Sequence, residues 1–168
     1  LLRHDLTPVV FEPGHIEELA DEVRYSQSEP ARVHVKIDTG MGRLGVMPKD
    51  VGKLGSTLLR HPEVVLSGLM THFACADTGE GIEEQLDRFD VAKATLANMG
   101  LRPTLCHAAN SAATLVSDRA RLDMVRPGIG LAYPPTRGRE DEVGMGSRRD
   151  GAGGDARGRL APHGERWR

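Results

Sequence analysis

Arg32-Val33-His34-Val35-Lys36-Ile37, then Asp38-Thr39-Gly40-Met41-Gly42-Arg43-Leu44-Gly45, then Val51, Leu54 and Leu58, is the stretch that decides the architecture. The first six residues alternate with period two around β-branched valines, the pattern of a pleated strand. The glycine-rich segment that follows predicts a loop. The apolar spacing i, i+3, i+7 predicts an amphipathic helix, stopped at His61-Pro62. The same unit recurs on both sides. Upstream, Leu6–Phe11 predicts a strand and Ile16, Leu19 and Val23 a helix. Downstream, Val64–Met70 predicts a strand, and Ile82, Leu86, Phe89, Leu96 and Met99 line one face of a long helix that stops at Gly100. Thr104–Cys106 predicts a short strand, Asn110–Val116 a short helix and Leu122–Val125 a fifth strand.

Five strands alternating with four helices predict an α/β fold with a parallel sheet, because parallel strands need crossover connections. Two arrangements satisfy this order, a doubly wound sheet and part of a (β/α)8 barrel of the TIM type. A whole barrel takes about 250 residues, whereas the chain has 168. Composition narrows the class further. Net charge is −2, so no field for polyanions exists and nucleic acid is not expected. No apolar run is long enough to span a membrane, and the two cysteines, Cys75 and Cys106, fit a reducing compartment. Residues 1–134 form the expected folded domain. Residues 135–168 are rich in Gly and Arg with almost no aliphatic periodicity, and a disordered tail is expected there.

The chemically capable residues gather where predicted strands end. They are Lys36 and Asp38, His72, His107 with Asn110 and Ser111, and Arg126. In parallel α/β architectures those exits share one face, and that face carries the site. Each residue also has a structural reading. Lys36 would end its strand in water or pair with Asp38, Arg43 would be a solvated loop arginine, and His34, opposite Val33 and Val35, is read as structural or surface. Asn110-Ser111 opens a helix, where free N–H groups, the positive dipole end and a hydroxyl suit an anion, although Asn-Ser is also an ordinary cap. Gly128 permits close backbone approach after Arg126-Pro127. A phosphate between these two segments matches the late loops of barrels. No His-Glu-x-x-His or paired zinc spacing is present, and Ser111 lacks the Gly-x-Ser-x-Gly elbow of a hydrolase.

Four stretches resemble the alanine racemase family: Val35-Lys36-Ile37-Asp38-Thr39-Gly40-Met41-Gly42-Arg43-Leu44-Gly45, Thr71-His72-Phe73-Ala74, His107-Ala108-Ala109-Asn110-Ser111-Ala112-Ala113-Thr114 and Val125-Arg126-Pro127-Gly128-Ile129-Gly130-Leu131. The family consists of fold-type III pyridoxal-phosphate enzymes, each a (β/α)8 barrel followed by a β domain. The resemblance implies interconversion of L- and D-alanine through a Schiff base with pyridoxal 5'-phosphate. It also implies a homodimer, and a bacterial cytoplasm where D-alanine feeds peptidoglycan synthesis.

Roles carry over residue by residue. Ser111 with the backbone of Gly128 and Ile129 would bind the cofactor phosphate beside Asn110. Arg126 would face the pyridine nitrogen and keep it unprotonated, His107 would support Arg126, and His72 would lie near the ring. Arg43 would reach the phenolic oxygen and the substrate carboxylate. Lys36 is the lysine that position alone would choose for the Schiff base. The family instead has a supporting, in many members carbamylated, lysine there. The family's Schiff-base lysine and its opposing tyrosine, which comes from the C-terminal domain across a dimer interface, have no matched counterpart. The chain is therefore expected to be incomplete. The alternative is a catalytically inactive cofactor-binding or structural remnant.

Overall fold

Alternation places the two faces of the second strand in different environments. In the computed structural model, which describes residue 4 and residues 6–132, β2 (Ala31–Lys36) buries Val33 and Val35 completely. They lie against Ile16 and Ala20 of α1 (Pro13–Ser26), Leu54 and Leu58 of α2 (Val51–Arg60) and Phe89 of α3 (Ile82–Asn98). Arg32, His34 and Lys36 occupy the opposite face. That face is open near the strand start, where Val65, the register partner of Arg32, is 45% exposed.

The five strands run β1 (Val9–Val10), β2, β3 (Val64–Met70), β4 (Leu105–Asn110) and β5 (Met124–Arg126), all parallel and paired in that order. A doubly wound sheet reverses its strand order at a switch point. This one never does, so the winding is that of a (β/α)8 barrel, and the doubly wound alternative is set aside. A second apolar cluster joins Phe73, Ile82 and Leu86 to Ala108, Ala109, Ala112 and Ala113, anchoring α4 (Ser111–Val116) beside the end of β4.

Three elements differ from expectation. β1 is two residues long rather than six, because Pro8 has no N–H to donate and Pro13 starts α1 only three residues after Val10. β4 runs on to Asn110 instead of ending at Cys106, so His107 lies inside a strand rather than at its exit. β5 starts late because Leu122, at a positive φ of 46°, belongs to the preceding turn. A fifth helix, α5 (Gly128–Ala132), follows β5 where only the end of the ordered part was expected. The tail expected over 135–168 lies outside the described residues.

The loop after β2 folds back on its own strand. Asp38 donates its N–H to Val46 O (2.9 Å), and Val46 donates to Lys36 O (2.9 Å). Between them Gly45 sits at φ 137°, and a Cβ there would lie 2.5 Å from Asp38 N and 2.9 Å from Ile37 C. Gly45→Ala is therefore expected to lower stability by about 1–3 kcal/mol through strain at this contact. A fall in urea midpoint with unchanged slope would show it.

Candidate functional site

Lys36 ends β2 and is only 9% exposed. Burial pushes its pKa down, the charges of Arg43 and Arg126 push it further, and Asp38 opposes them. The Asp38 carboxylate does not form an ion pair with Lys36. Its Oδ1 accepts the N–H groups of Gly40 (3.0 Å) and Gly42 (3.1 Å), shaping the loop that carries the exposed Arg43. Burial alone would raise the Asp38 pKa, but the backbone donors of Gly42, Gly40, Met41 and Arg43 outweigh it and hold the carboxyl below its ordinary value. The loop is also tied from the side of α3, where Arg88 donates to Thr39 O (2.7 Å). Gln85 accepts from Ala74 N (3.2 Å), fixing the loop after His72 in the same way.

Arg126, the last residue of β5, is the centre of the polar network. Its Nη1 lies 2.6 Å from His107 Nδ1, and its Nη2 donates to the carbonyls of Thr71 (2.8 Å) and Ala108 (2.8 Å), with His72 Nδ1 at 3.4 Å. Among the described residues no carboxylate lies within ion-pair distance of it. Burial lowers its pKa, but a guanidinium remains charged and only donates. His107 Nδ1 must therefore be an acceptor. The imidazole, 3% exposed, is held neutral by burial first, then by the charges of Arg126 and His34, and its pKa falls to about 4. Burial likewise lowers His72, followed by the charges of Arg126, Lys36 and Arg43. Lys36, Arg43, His72 and Arg126 thus share one electrostatic neighbourhood.

Asn110 faces Arg126 across the β4–β5 ladder. Its side chain caps α4 by accepting from Ala113 N (2.9 Å). Ser111 Oγ accepts from Gly130 N (2.9 Å), which brings the starts of α4 and α5 together. A Cβ at Gly130 would meet Ser111 Oγ at 3.4 Å, whereas one at Gly128 would meet nothing within 4 Å. Open space therefore lies over the first residue of α5, where helical N–H groups have no intrahelical acceptor.

Of the ten residues singled out from the sequence, Lys36, Asn110 and Arg126 end strands, Asp38 and Arg43 lie in the loop after β2, His72 in the loop after β3, Ser111 opens α4, and Gly128 and Ile129 open α5, all toward the carboxyl ends of the sheet, whereas His107 lies inside β4. Contacts join His72, His107 and Arg126 on one side and Ser111 and Gly130 on the other, with Lys36 and Arg43 coupled to the first group by charge. Sequence reasoning missed Gln85 and Arg88, which act from a helix without any motif of their own. It also placed His34 outside the site, whereas its Nδ1 lies 2.9 Å from His107 Nε2. The period-two pattern that puts His34 and Lys36 on one face was the available signal.

A singly wound, barrel-type α/β domain with an anion-suited site at the carboxyl ends of its strands is the class that this geometry defines. Within it the family is identified by comparison. The profile of the alanine racemase N-terminal domain matches residues 1–133, and the chain belongs to that family. The alanine racemase of Sorangium cellulosum is 47% identical over 133 residues, 78% of this chain and 35% of that protein. The alanine racemase structure from Streptomyces coelicolor A3(2) superposes with a TM-score of 0.73 at 40% identity, covering 77% of this chain and 35% of that one. The alanine racemase from Bartonella henselae with covalently bound pyridoxal phosphate shares the fold, with a TM-score of 0.66 at 22% identity over 80% of this chain and 40% of that one. The chain spans about a third of the length of the curated relatives it matches.

His107 also sets a pH dependence. Its pKa is about 4 in the folded chain, against an ordinary 6.5. The unfolded chain takes up a proton between these values and the folded chain does not. The contribution of His107 is complete above about pH 6.5, declines as pH falls and levels off below about 4, for a total of about 3 kcal/mol. Urea midpoints across this range are expected to fall with pH, and less steeply in His107→Gln.

Proposed function

We propose that the protein is an alanine racemase, interconverting L- and D-alanine, and that residues 6–132 supply cofactor and substrate contacts for pyridoxal 5'-phosphate. The observation that carries this reading is Arg126: a partly buried cation satisfied by two carbonyls and a neutral imidazole, with no carboxylate beside it among the described residues. Such a group suits an unprotonated ring nitrogen. It can donate to that nitrogen and has no proton-accepting atom of its own. The neighbouring cations suit the rest of the same ligand, which carries a phosphate and a phenolic oxygen. The donor set therefore fits.

In this reading the Ser111 hydroxyl and the N–H groups of Gly128 and Ile129 hold the phosphate, with Asn110 keeping α4 in place through its cap. His107 orients Arg126, and His72 lies beside the ring. Arg43 presents its planar fork to the substrate carboxylate and the phenolic oxygen. Lys36, repelled by the charges of two arginines, supports Arg43, and a carbamyl group there would turn a repelling ammonium into an attracting anion. When bound, pyridoxal phosphate withdraws electrons from the bond to alanine's α-hydrogen. A homodimer of the whole protein and a cytoplasmic setting belong to the same proposal. No helix among the described residues is long and apolar enough to cross a membrane.

Two measurements test it. Pyridoxal 5'-phosphate titrated into the chain, followed by its absorbance and by protein fluorescence, is expected to bind. Ser111→Ala and Arg126→Met should each weaken binding by about 10- to 100-fold, as loss of a charge-assisted hydrogen bond does. Residues 6–131 exchanged into the Streptomyces coelicolor alanine racemase should sustain a bacterial strain that requires D-alanine, and Arg43→Ala should abolish this. Binding without complementation would favour the inactive remnant, and absence of binding would defeat the cofactor assignment.

A further inference from the structure

His34 and Gly68 lie outside the four stretches that resemble the family, yet the sheet brings them onto the same network. His34 Nδ1 is 2.9 Å from His107 Nε2, at the corner of the ring opposite the nitrogen that faces Arg126. Donor arithmetic gives the row a single direction. Arg126 can only donate, so His107 Nδ1 accepts. A neutral imidazole then carries its proton on Nε2, which donates to His34 Nδ1. The His34 proton is left on its own Nε2. Reversing either imidazole would place two donors face to face.

The place occupied by His34 is itself built. A β-bulge on β3 leaves Ser67 unpaired, so that Val33 is opposite Leu66 and His34 is opposite Gly68. The bulge is secured from both neighbours. Ser67 Oγ donates to Val33 O (3.0 Å), while Thr104 donates to Ser67 O through its N–H (3.1 Å) and its hydroxyl (2.9 Å). A Cβ at Gly68 would lie 2.3 Å from His34 Cδ2 and 2.5 Å from its Cγ and Nε2, so the imidazole rests directly on the glycine backbone.

From this juxtaposition we propose that His34 is a positioning residue for Arg126, acting through His107, and that the Ser67 bulge and Gly68 exist to seat it. A single hydrogen bond at Nδ1 leaves the His107 ring free to turn about its Cβ–Cγ bond, which would present C–H to Arg126. Bonds at opposite corners prevent that turn. The link to cofactor binding rests on the reading of Arg126 as the group that faces the ring, whereas the orientation itself does not.

Proton–nitrogen correlation spectra of the imidazole and guanidinium groups of the full chain, without cofactor, test the orientation directly. The parent is expected to show both His107 and His34 as the Nε2–H form above pH 6, and the Nη protons of Arg126 as separate signals. His34→Phe and Gly68→Ala, checked for native circular dichroism, are expected to broaden or mix the His107 forms and to average the Arg126 signals. His34→Asn, whose side-chain oxygen falls near the position of Nδ1, should restore the parent pattern. A parent His107 in the Nδ1–H form overturns the proposal without any variant. A folded His34→Phe with parental His107 and Arg126 signals overturns it as well. Pyridoxal 5'-phosphate added afterwards should bind His34→Phe about tenfold more weakly than the parent, the change expected for one lost hydrogen bond. Failure of the parent to bind would reject the cofactor reading and leave the spectra to decide the orientation.

Discussion

A partly buried guanidinium with no carboxylate beside it among the described residues is the constraint around which this domain is arranged. Arg126 needs acceptors, and they come from the end of β3 through Thr71, and from β4 through Ala108 and His107. No segment of the chain could provide them alone. The register of β3, β4 and β5 must be set before the cation is satisfied, and a cation left unsatisfied would oppose that register. Assembly of the sheet and assembly of the polar network are for this reason one event.

Around that centre the charges are unbalanced. Arg43 and Arg126 act on Lys36 as like charges, while Asp38, the acid that opposes them, has its Oδ1 turned to the N–H groups of its own loop. Mutual repulsion among cations weakens the fold when they face only water and protein. An anionic ligand relieves it, so occupancy and stability are coupled. The small side chains of Ala108, Ala109, Ala112 and Ala113 serve the same end by letting α4 lie close to β4 and bring Ser111 to α5.

How much of this was legible in the sequence follows from the range of each signal. Val33 and Val35, or Ile82, Leu86 and Phe89, repeat with the period of their own element, and the strands and helices they define are present. Periodicity left the singly wound order open, because it names elements without saying which are neighbours; the barrel came from the resemblance of the four stretches to the alanine racemase family. β4 was cut short because His107-Ala108-Ala109-Asn110 has no β-branched residue; burial against α4 keeps that segment extended. The site residues on strand exits could be placed from spacing alone. Arg88 and Gln85 could not, since their partners, Thr39 O and Ala74 N, are main-chain atoms that leave no trace in the letters. His34 was assigned to the right face and the wrong surroundings. Its partner is 73 residues away, and the bulge that seats it is a departure from regular pairing.

Both oxygens that accept from Arg126 belong to peptide groups, those of residues 71 and 108. A codon change can replace a threonine or an alanine, but it cannot delete a carbonyl. Drift at these two positions therefore leaves both carbonyl acceptors in place for as long as the strands stay in step. Damage has to come from elsewhere, through insertions, deletions or prolines that shift the path of the backbone. The domain is in this respect tolerant of spelling errors and intolerant of frame slippage between its strands.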